Sequence, residues 1–508
     1  MSCSSPSSIT RVAAVTATTT GARWITALLL AGVMLITVGL RLPGFALPLE
    51  RDEGAYAYVA WAWLQGELPY RDAFDHKPPL IYLLYMPAVL VGTPAAWMIR
   101  LWGTLLMLVS VGFVFLIGRQ IWSRSTALLA ALLFGIIGSA FDIQGLILNT
   151  DQALVLPALL ALWAAMRLRA TQQPRYALAT GAALAAAALI KPVAILLGPA
   201  ALLALRGDGR SVARTSGSIL LGGALVGLPF AIYFALQGAW ADLWFGVVTY
   251  NTIYATESRM RWDLGALVDM LAPLMPLLLV AIGGAALASR SGSDSNAMAM
   301  THGRLLIAWT AALLLAALGS LRPYIHYYYP LLPLLCLLAA PCVSWLWRQR
   351  AQVGGIRGIA GALAPLLLLL LLTGPFIRQN LRLIGATAEE QAERLYGDVG
   401  KHYFAQAPLV ADFVRARTTP DDRIYIFAAE PEVYVLAERR AASRYIYDYP
   451  LALLPEARQA LMRELAARPP ALVITYYGVR PDGFWETLRA QNFEKIAEIG
   501  GYEIFGAP

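Results

Sequence analysis

Charge is scarce in this 508-residue chain. Asp, Glu, Lys and Arg make up 14% of it, against roughly 25% in an ordinary soluble domain. With 58% of residues apolar or aromatic and a mean hydropathy of +0.58, that scarcity excludes a soluble globular protein. Lysine is scarcer still, confined to Lys77, Lys191, Lys401 and Lys495, so arginine supplies almost all the positive charge. Cysteine is limited to Cys3, Cys336 and Cys342, with no CxxC and no Cys/His ligand spacing. Neither a disulfide framework nor a zinc site is available. No repeat of 20–50 residues is present, and the C-terminal quarter has no GxGxxG, P-loop or GxSxG.

The charge that exists is unevenly placed. Residues 1–375 carry 24 basic and 14 acidic side chains, and residues 376–508 carry 16 and 18. The basic pI therefore belongs to the apolar part, and nucleic acid is excluded as a partner. Eleven uncharged apolar runs, near 24–40, 101–118, 126–141, 152–166, 176–190, 192–205, 216–236, 270–289, 305–321, 327–347 and 358–375, read as membrane spans, the shorter ones completed by tilting or snorkelling. The first run is too long for a signal-peptide core and reads as an uncleaved span. Residues 1–22, rich in Ser and Thr, read as disordered and cytoplasmic.

The stretch 79–92 is apolar but short and opened by two prolines. If it lies in the interface without crossing, the loops holding Arg119/Arg124, Arg167/Arg169/Arg175, Arg206/Arg210/Arg214, Arg290/Arg304 and Arg348/Arg350/Arg357 all fall on the side of Arg11 and Arg23. The positive-inside rule is then obeyed at every loop. The first loop (41–100), the 142–151 turn, Lys191, the 237–264 loop, 322–326 and the tail 376–508 face outward, which in a bacterium is the periplasmic side of the inner membrane. The tail reads as a small α/β domain: strands at 423–428 and 471–475, a helix at 455–467, and a hairpin over 495–505 turning at Gly500-Gly501. No chemistry is assigned to it; it covers or shapes the outer face of the span domain (23–375).

Six of the fourteen acidic residues before 376 lie between Glu50 and Asp75. Anchoring needs no such concentration. The helical stretch after Asp52, with Tyr56, Tyr58, Trp61 and Trp63, suits a helix lying in the headgroup layer, and Asp52 suits its N-cap as well as a catalytic carboxylate. Lys77, in Asp75-His76-Lys77-Pro78-Pro79, either snorkels to lipid phosphate or is a fixed cation, because the two prolines hold the chain extended after it. Asp151 heads a span as N-cap or functional acid. The Arg322–Tyr329 turn is an aromatic belt in which Arg322, His326 and Tyr327 can contact a sugar or phosphate. Arg259 and Arg261 are the basic residues of the 237–264 loop, and Lys191 reads as a span-end anchor.

The ordered set Asp52-Glu53-Gly54, Pro69-Tyr70, Asp72 and Asp75-His76-Lys77-Pro78-Pro79, in one loop after a first span, resembles glycosyltransferase family 39 of the GT-C superfamily. That family includes protein O-mannosyltransferases and the aminoarabinose transferase of lipid A. The resemblance covers residues 20–375 in architecture and 52–79 in motif. It implies a polytopic helical enzyme of about eleven spans with interfacial helices in the first loop. It makes Asp52, within the Asp52-Glu53 pair, the catalytic aspartate, Asp151 a second acidic position and Lys77 the cation at the donor phosphate. Arg259 or Arg261 occupies a comparable phosphate-contacting loop, and Asp75, His76, Arg322, His326 and Tyr327 are left for substrate.

The implied reaction is hexosyl or pentosyl transfer from a polyprenyl-phosphate sugar to a lipid, glycan or protein hydroxyl of the cell envelope. The leaving phosphate needs a cation and the acceptor hydroxyl a base. In-line attack inverts the anomeric centre. A monophosphate donor requires no diphosphate chelate, so neither metal nor cofactor is expected. The alternative is a multi-span transporter or a non-catalytic scaffold, but transporters place ionisable groups at the midplane and build on repeats, whereas here the charges cluster at span ends. A reporter fused after Gly374 is expected to be active outside and one fused after Arg210 inside; a cytoplasmic tail would overturn both the orientation and the site.

Overall fold

The computed structural model describes residues 8–90, 96–257, 264–290, 297–319, 324–349, 356–427, 430–475 and 483–507. Helix α1 (Ser8–Arg41) begins sixteen residues before the apolar run at 24. Residues 8–22 continue that helix, with no proline to break it. The first loop then supplies two helices, α2 (Arg51–Leu64) and α3 (Leu80–Leu90), before α4 (Ala96–Ile121), α5 (Arg124–Ile137), α6 (Thr150–Thr171) and α7 (Pro174–Ala188).

Eight helices among the described residues are long and apolar enough to cross a membrane: Gly21–Ala46, α4, α6, Gly209–Leu236, Leu267–Leu287, Ala297–Gly319, Ile325–Gln349 and Leu363–Leu381. The remaining expected crossings form helices, but short ones: α5 has 14 residues, α7 has 15, and Pro192–Ala204 is an irregular series of turns. At 1.5 Å per residue, α5 and α7 reach about 20 Å, below the roughly 30 Å hydrocarbon thickness. Eight of the eleven expected crossings are thus long helices among the described residues, and three are short ones. Helix α3, with 11 residues, is shorter again, in keeping with a segment that does not cross.

Small residues set the closest helix contacts. A Cβ added at Gly181 of α7 would sit 1.8 Å from the Ile219 carbonyl oxygen, and one at Gly222 would sit 2.1 Å from that of Leu178. Backbones this close gain van der Waals contact where lipid offers no hydrophobic driving force. Helix α4 shows how the bundle is polarised. Arg100 near its start bonds to the first loop, while the carbonyl of Gln120 at its other end meets His302. The 26 residues of α4 separate these ends by about 39 Å, so Arg119 and Arg124 lie at the opposite end from the acidic loop.

The tail is an α/β unit with strands β1 (Arg423–Phe427), β2 (Arg440–Ala441), β3 (Leu472–Thr475), β4 (Glu494–Ile499) and β5 (Tyr502–Gly506) in the order β2-β1-β3-β5-β4. β1 and β3 are parallel, with Ile424 opposite Leu472, and the helix Pro455–Ala467 lies between them in sequence. β5 runs antiparallel to both β3 and β4, and the β4–β5 turn uses Gly500 at φ +59. Tyr425, Leu461, Leu465 and Val473 share one buried cluster.

The tail packs on α2, so that protein covers this first-loop helix. Residues 53–60 are all buried. The Tyr58 ring lies 5.0 Å from that of Tyr434, the Ala441 N–H donates to the Tyr58 hydroxyl at 2.7 Å, and the Trp63 indole donates to the Tyr233 hydroxyl at 2.7 Å. Protein on both sides, not lipid headgroups, seals these amphipathic rings. The approach is closest at Gly54, where a Cβ would meet Glu432 Cβ at 2.5 Å and its Cα and N at 2.6 Å. Alanine at this helical position gains about 1 kcal/mol in propensity but strikes backbone that cannot swing aside. Gly54→Ala is expected to lower the melting temperature and speed proteolysis of the tail; a variant that melts higher would show that propensity outweighs the contact.

Candidate active site

Asp52 and Glu53 are neighbours on α2 and diverge by about 100°. The N-cap of this helix is neither of them. Glu50 is extended, and its carboxylate accepts from the Glu53 N–H at 3.1 Å. Burial, then the Asp52 and Glu53 charges, raises Glu50 well above the usual carboxylate range. Glu53 is fully buried, ion-paired with Arg100, and accepts from the Leu148 N–H at 2.7 Å. Arg100 also donates to the Pro48 carbonyl at 2.9 Å. Glu53, expected among the catalytic residues, therefore ties α2 to α4 and does not line the cavity. Asp52 is half-buried and has no hydrogen bond or ion pair among the described residues. With Glu50 as the cap, its carboxylate is free for other work.

The turn carrying Lys77 is clamped from several elements. The Lys77 carbonyl accepts from Tyr70 at 2.8 Å and from Tyr82 at 3.1 Å, and the His76 carbonyl accepts from the Asn251 amide at 2.6 Å. Tyr70 itself has a left-handed backbone, φ +70, with its N–H on the Ala73 carbonyl at 2.8 Å, a conformation that persists only where surroundings over-determine it. Asp75, 3% exposed, accepts from the His76 N–H at 2.7 Å, from Tyr447 at 2.8 Å and from Tyr82 at 3.0 Å. Burial alone would raise its pKa, but the bonds from His76 and Tyr447 and the charge of Lys77 outweigh that and hold it at about 2. Burial and then the Lys77 charge lower His76, which keeps its imidazole neutral at pH 7.

Asp52, Asp75, His76 and Lys77 line one cavity of about 340 Å³ together with His326 and Tyr327, a volume within the range of small-molecule sites. Six of the residues singled out in the sequence thus converge. The Tyr56 hydroxyl and His326 Nδ1 lie at this cavity, buried and without hydrogen-bond partners among the described residues, groups that ordinarily require one. Asp151 is placed otherwise. Asn149 caps α6, and the Asp151 carboxylate is engaged by Lys191 at 2.6 and 2.8 Å. Lys191 in turn lies 4.0 Å from the Tyr327 ring centroid. Asp151 therefore supports the cavity wall from behind instead of lining it. Arg259, Arg261 and Arg322 lie outside the described residues. Among the described residues no group of three or more His, Cys, Asp or Glu side chains is gathered as metal ligands would be.

Much of the remaining wall comes from the tail, to which the sequence reading assigned no chemistry. Tyr396, Phe404, Tyr447 and Tyr449 all line the cavity, and Arg51 spans it to the tail through Glu430 at 2.8 Å and Tyr449 at 2.7 Å. The signal was present in Tyr445-Ile446-Tyr447-Asp448-Tyr449, whose aromatics alternate with the period of an extended strand. A second cavity of about 320 Å³ begins where the first ends in sequence. Pro78 and Pro79 line it with Ile195, Phe230, Trp240 and Trp244, and its walls are almost wholly apolar.

Residues 75–234 match the family model of dolichyl-phosphate-mannose-protein mannosyltransferases. Among curated proteins no sequence relative matches. The solved structures similar to this chain include ArnT from Cupriavidus metallidurans bound to undecaprenyl phosphate, 14% identical with a TM-score of 0.60, over 96% of this chain and 99% of that one. They also include the oligosaccharyltransferase AglB from Archaeoglobus fulgidus in complex with an inhibitory peptide and a dolichol-phosphate, 14% identical with a TM-score of 0.58, over 89% of this chain and 69% of that one. At this identity the likeness shows the fold: over nearly its whole length, tail included, the chain has the GT-C arrangement of these structures.

Proposed function

We propose that this protein transfers a sugar from a polyprenyl-phosphate donor to an acceptor hydroxyl at the outer face of a bacterial inner membrane. The observation that carries the proposal is the meeting, in one cavity, of an unpartnered carboxylate, Asp52, with an ammonium held by its neighbours, Lys77. Asp52 lies near enough for its charge to act on His76. In this reading Lys77 stabilises the charge that develops on the leaving phosphate. Asp52 takes the proton of the acceptor hydroxyl as the new glycosidic bond forms. Attack from the face opposite the phosphate inverts the anomeric centre. The apolar groove that begins at Pro78-Pro79 receives the start of the prenyl chain, and the unpartnered Tyr56 hydroxyl and His326 Nδ1 meet sugar hydroxyls. Support also comes from the polyprenyl phosphates bound to the two structural neighbours and from the donor named in the matching family model.

The sequence neighbours Asp52 and Glu53 separate chemistry from architecture. Asp52→Asn removes basicity and keeps shape; it is expected to melt like the wild type, bind the donor, and transfer about 10²- to 10⁴-fold more slowly. Glu53→Gln leaves Arg100 buried without its counter-charge, and its loss of stability should be roughly 3–5 kcal/mol, with activity falling only as the folded fraction falls. In cells, deletion of the gene should deplete one envelope glycan and accumulate a polyprenyl-phosphate sugar, both read by mass spectrometry. Near-normal transfer by Asp52→Asn would remove Asp52 from the base role.

A further inference from the structure

Residues 441–449 of the tail lie as a strap across the turn that holds Lys77. The Ala441 N–H bonds to Tyr58 at 2.7 Å, the Phe74 N–H donates to the Arg444 carbonyl at 2.7 Å, and Phe74 and Tyr445 form a parallel bridge. Further along, the strap reaches the site. The Tyr447 hydroxyl donates to Asp75 Oδ1 at 2.8 Å and lies 3.3 Å from His76 Nδ1, and the same carboxylate oxygen lies 3.3 Å from that ring nitrogen. On the far side of the imidazole, Nε2 is 2.9 Å from Lys77 Nζ.

The protons in this chain have only one arrangement. An ammonium donates and never accepts, so Nε2 must be bare and the ring proton must sit on Nδ1. Nδ1–H then points at the Tyr447 hydroxyl, which donates in turn to the Asp75 carboxylate, an acceptor also for Tyr82 and the His76 N–H. The direction of every link is fixed: Lys77 Nζ donates to His76 Nε2, His76 Nδ1–H donates to Tyr447, and Tyr447 donates to Asp75. A bare Nε2 spends one of the three ammonium protons and leaves two for the cavity, with the lysine stem constrained by the ring it touches.

We infer that Tyr447 is a positioning residue for the donor. Through Asp75 and His76 it sets the ring that orients the Lys77 ammonium towards an anionic phosphate, so that the tail is a working part of the donor site and not a cover over it. The inference rests on the reading of Lys77 as the phosphate-binding residue. Without the hydroxyl, Asp75 stays buried with one donor fewer, His76 Nδ1 loses its hydrogen-bond partner, and the ammonium samples orientations that miss the phosphate.

The test uses the full-length purified protein. Tyr447→Phe is expected to raise the KM for polyprenyl-phosphate sugar by about tenfold, the range for a hydrogen bond to a charged group, with a smaller change in kcat. The affinity for polyprenyl phosphate alone should fall by the same factor. His76→Ala, which breaks the chain one link nearer Lys77, should give the same split between KM and kcat and stands in if Tyr447→Phe fails to fold. In a Lys77→Ala background, Tyr447→Phe should add less than about a twofold effect, since residues acting through one group are not additive. A fall in kcat with unchanged donor KM and polyprenyl phosphate affinity, or full additivity with Lys77→Ala, would overturn the relay while leaving Lys77 at the phosphate. Wild-type polyprenyl phosphate binding by Lys77→Ala would instead remove the underlying reading, and the relay with it.

Discussion

The buried pair Glu53–Arg100 is the constraint on which the site depends. Two charges taken out of water are held only if they pair with one another and with further hydrogen-bonding groups, and here the Leu148 N–H and the Pro48 carbonyl add to the pair. Because α2 is rigid and helical, fixing Glu53 towards α4 fixes Asp52 about 100° away from it. The free carboxylate is therefore aimed by a neighbour that takes no part in the proposed chemistry. The same division of labour recurs at Asp151 and Lys191, a pair that lies behind Tyr327 instead of entering the cavity.

The cavity divides its work between two media. Polar residues gather where α2, the Lys77 turn and the tail meet, and the groove next to Pro78 is lined almost entirely by carbon. Pro78 and Pro79 mark the border. They keep the chain extended at the point where Lys77 must stay rigid, and their rings supply the first apolar wall beyond it. An amphiphile with an anionic head and a long apolar tail matches that change of surface at the same place.

The bundle was legible in the sequence because span length and hydropathy leave little freedom; the expected apolar runs became helices, α5 and α7 among the shorter ones. The tail strands were legible from Ile424, Ile426, Val473 and Ile474, which alternate or cluster as buried strands do. That Asp52 and Lys77 belong to one outer-loop cluster was legible by motif, and both line the cavity. The roles of Glu53 and Asp151 were not, because a carboxylate at a helix start has the same local pattern whether it caps, pairs or catalyses. Glu50 took the cap of α2, Asn149 that of α6, and only tertiary contacts decided what their neighbours did. The alternation of Tyr445, Tyr447 and Tyr449 marks an extended aromatic segment but not what it touches: the partner of Tyr447, Asp75, is 372 residues away, and no local periodicity records such a contact.

That separation gives the molecule an order of assembly. Contacts between distant parts of a chain carry the greatest loop-closure entropy and form late. The first-loop turn with Asp75, His76 and Lys77 leaves the ribosome long before Tyr447 is made, and the intervening helices must be inserted before the strap can return to it. Until then Asp75 lacks a donor and α2 lacks its cover. A nascent or truncated chain would hold Asp52 in an open, incomplete pocket, so the closed cavity would arrive only with the last quarter of the polypeptide, as a quality check written into chain order.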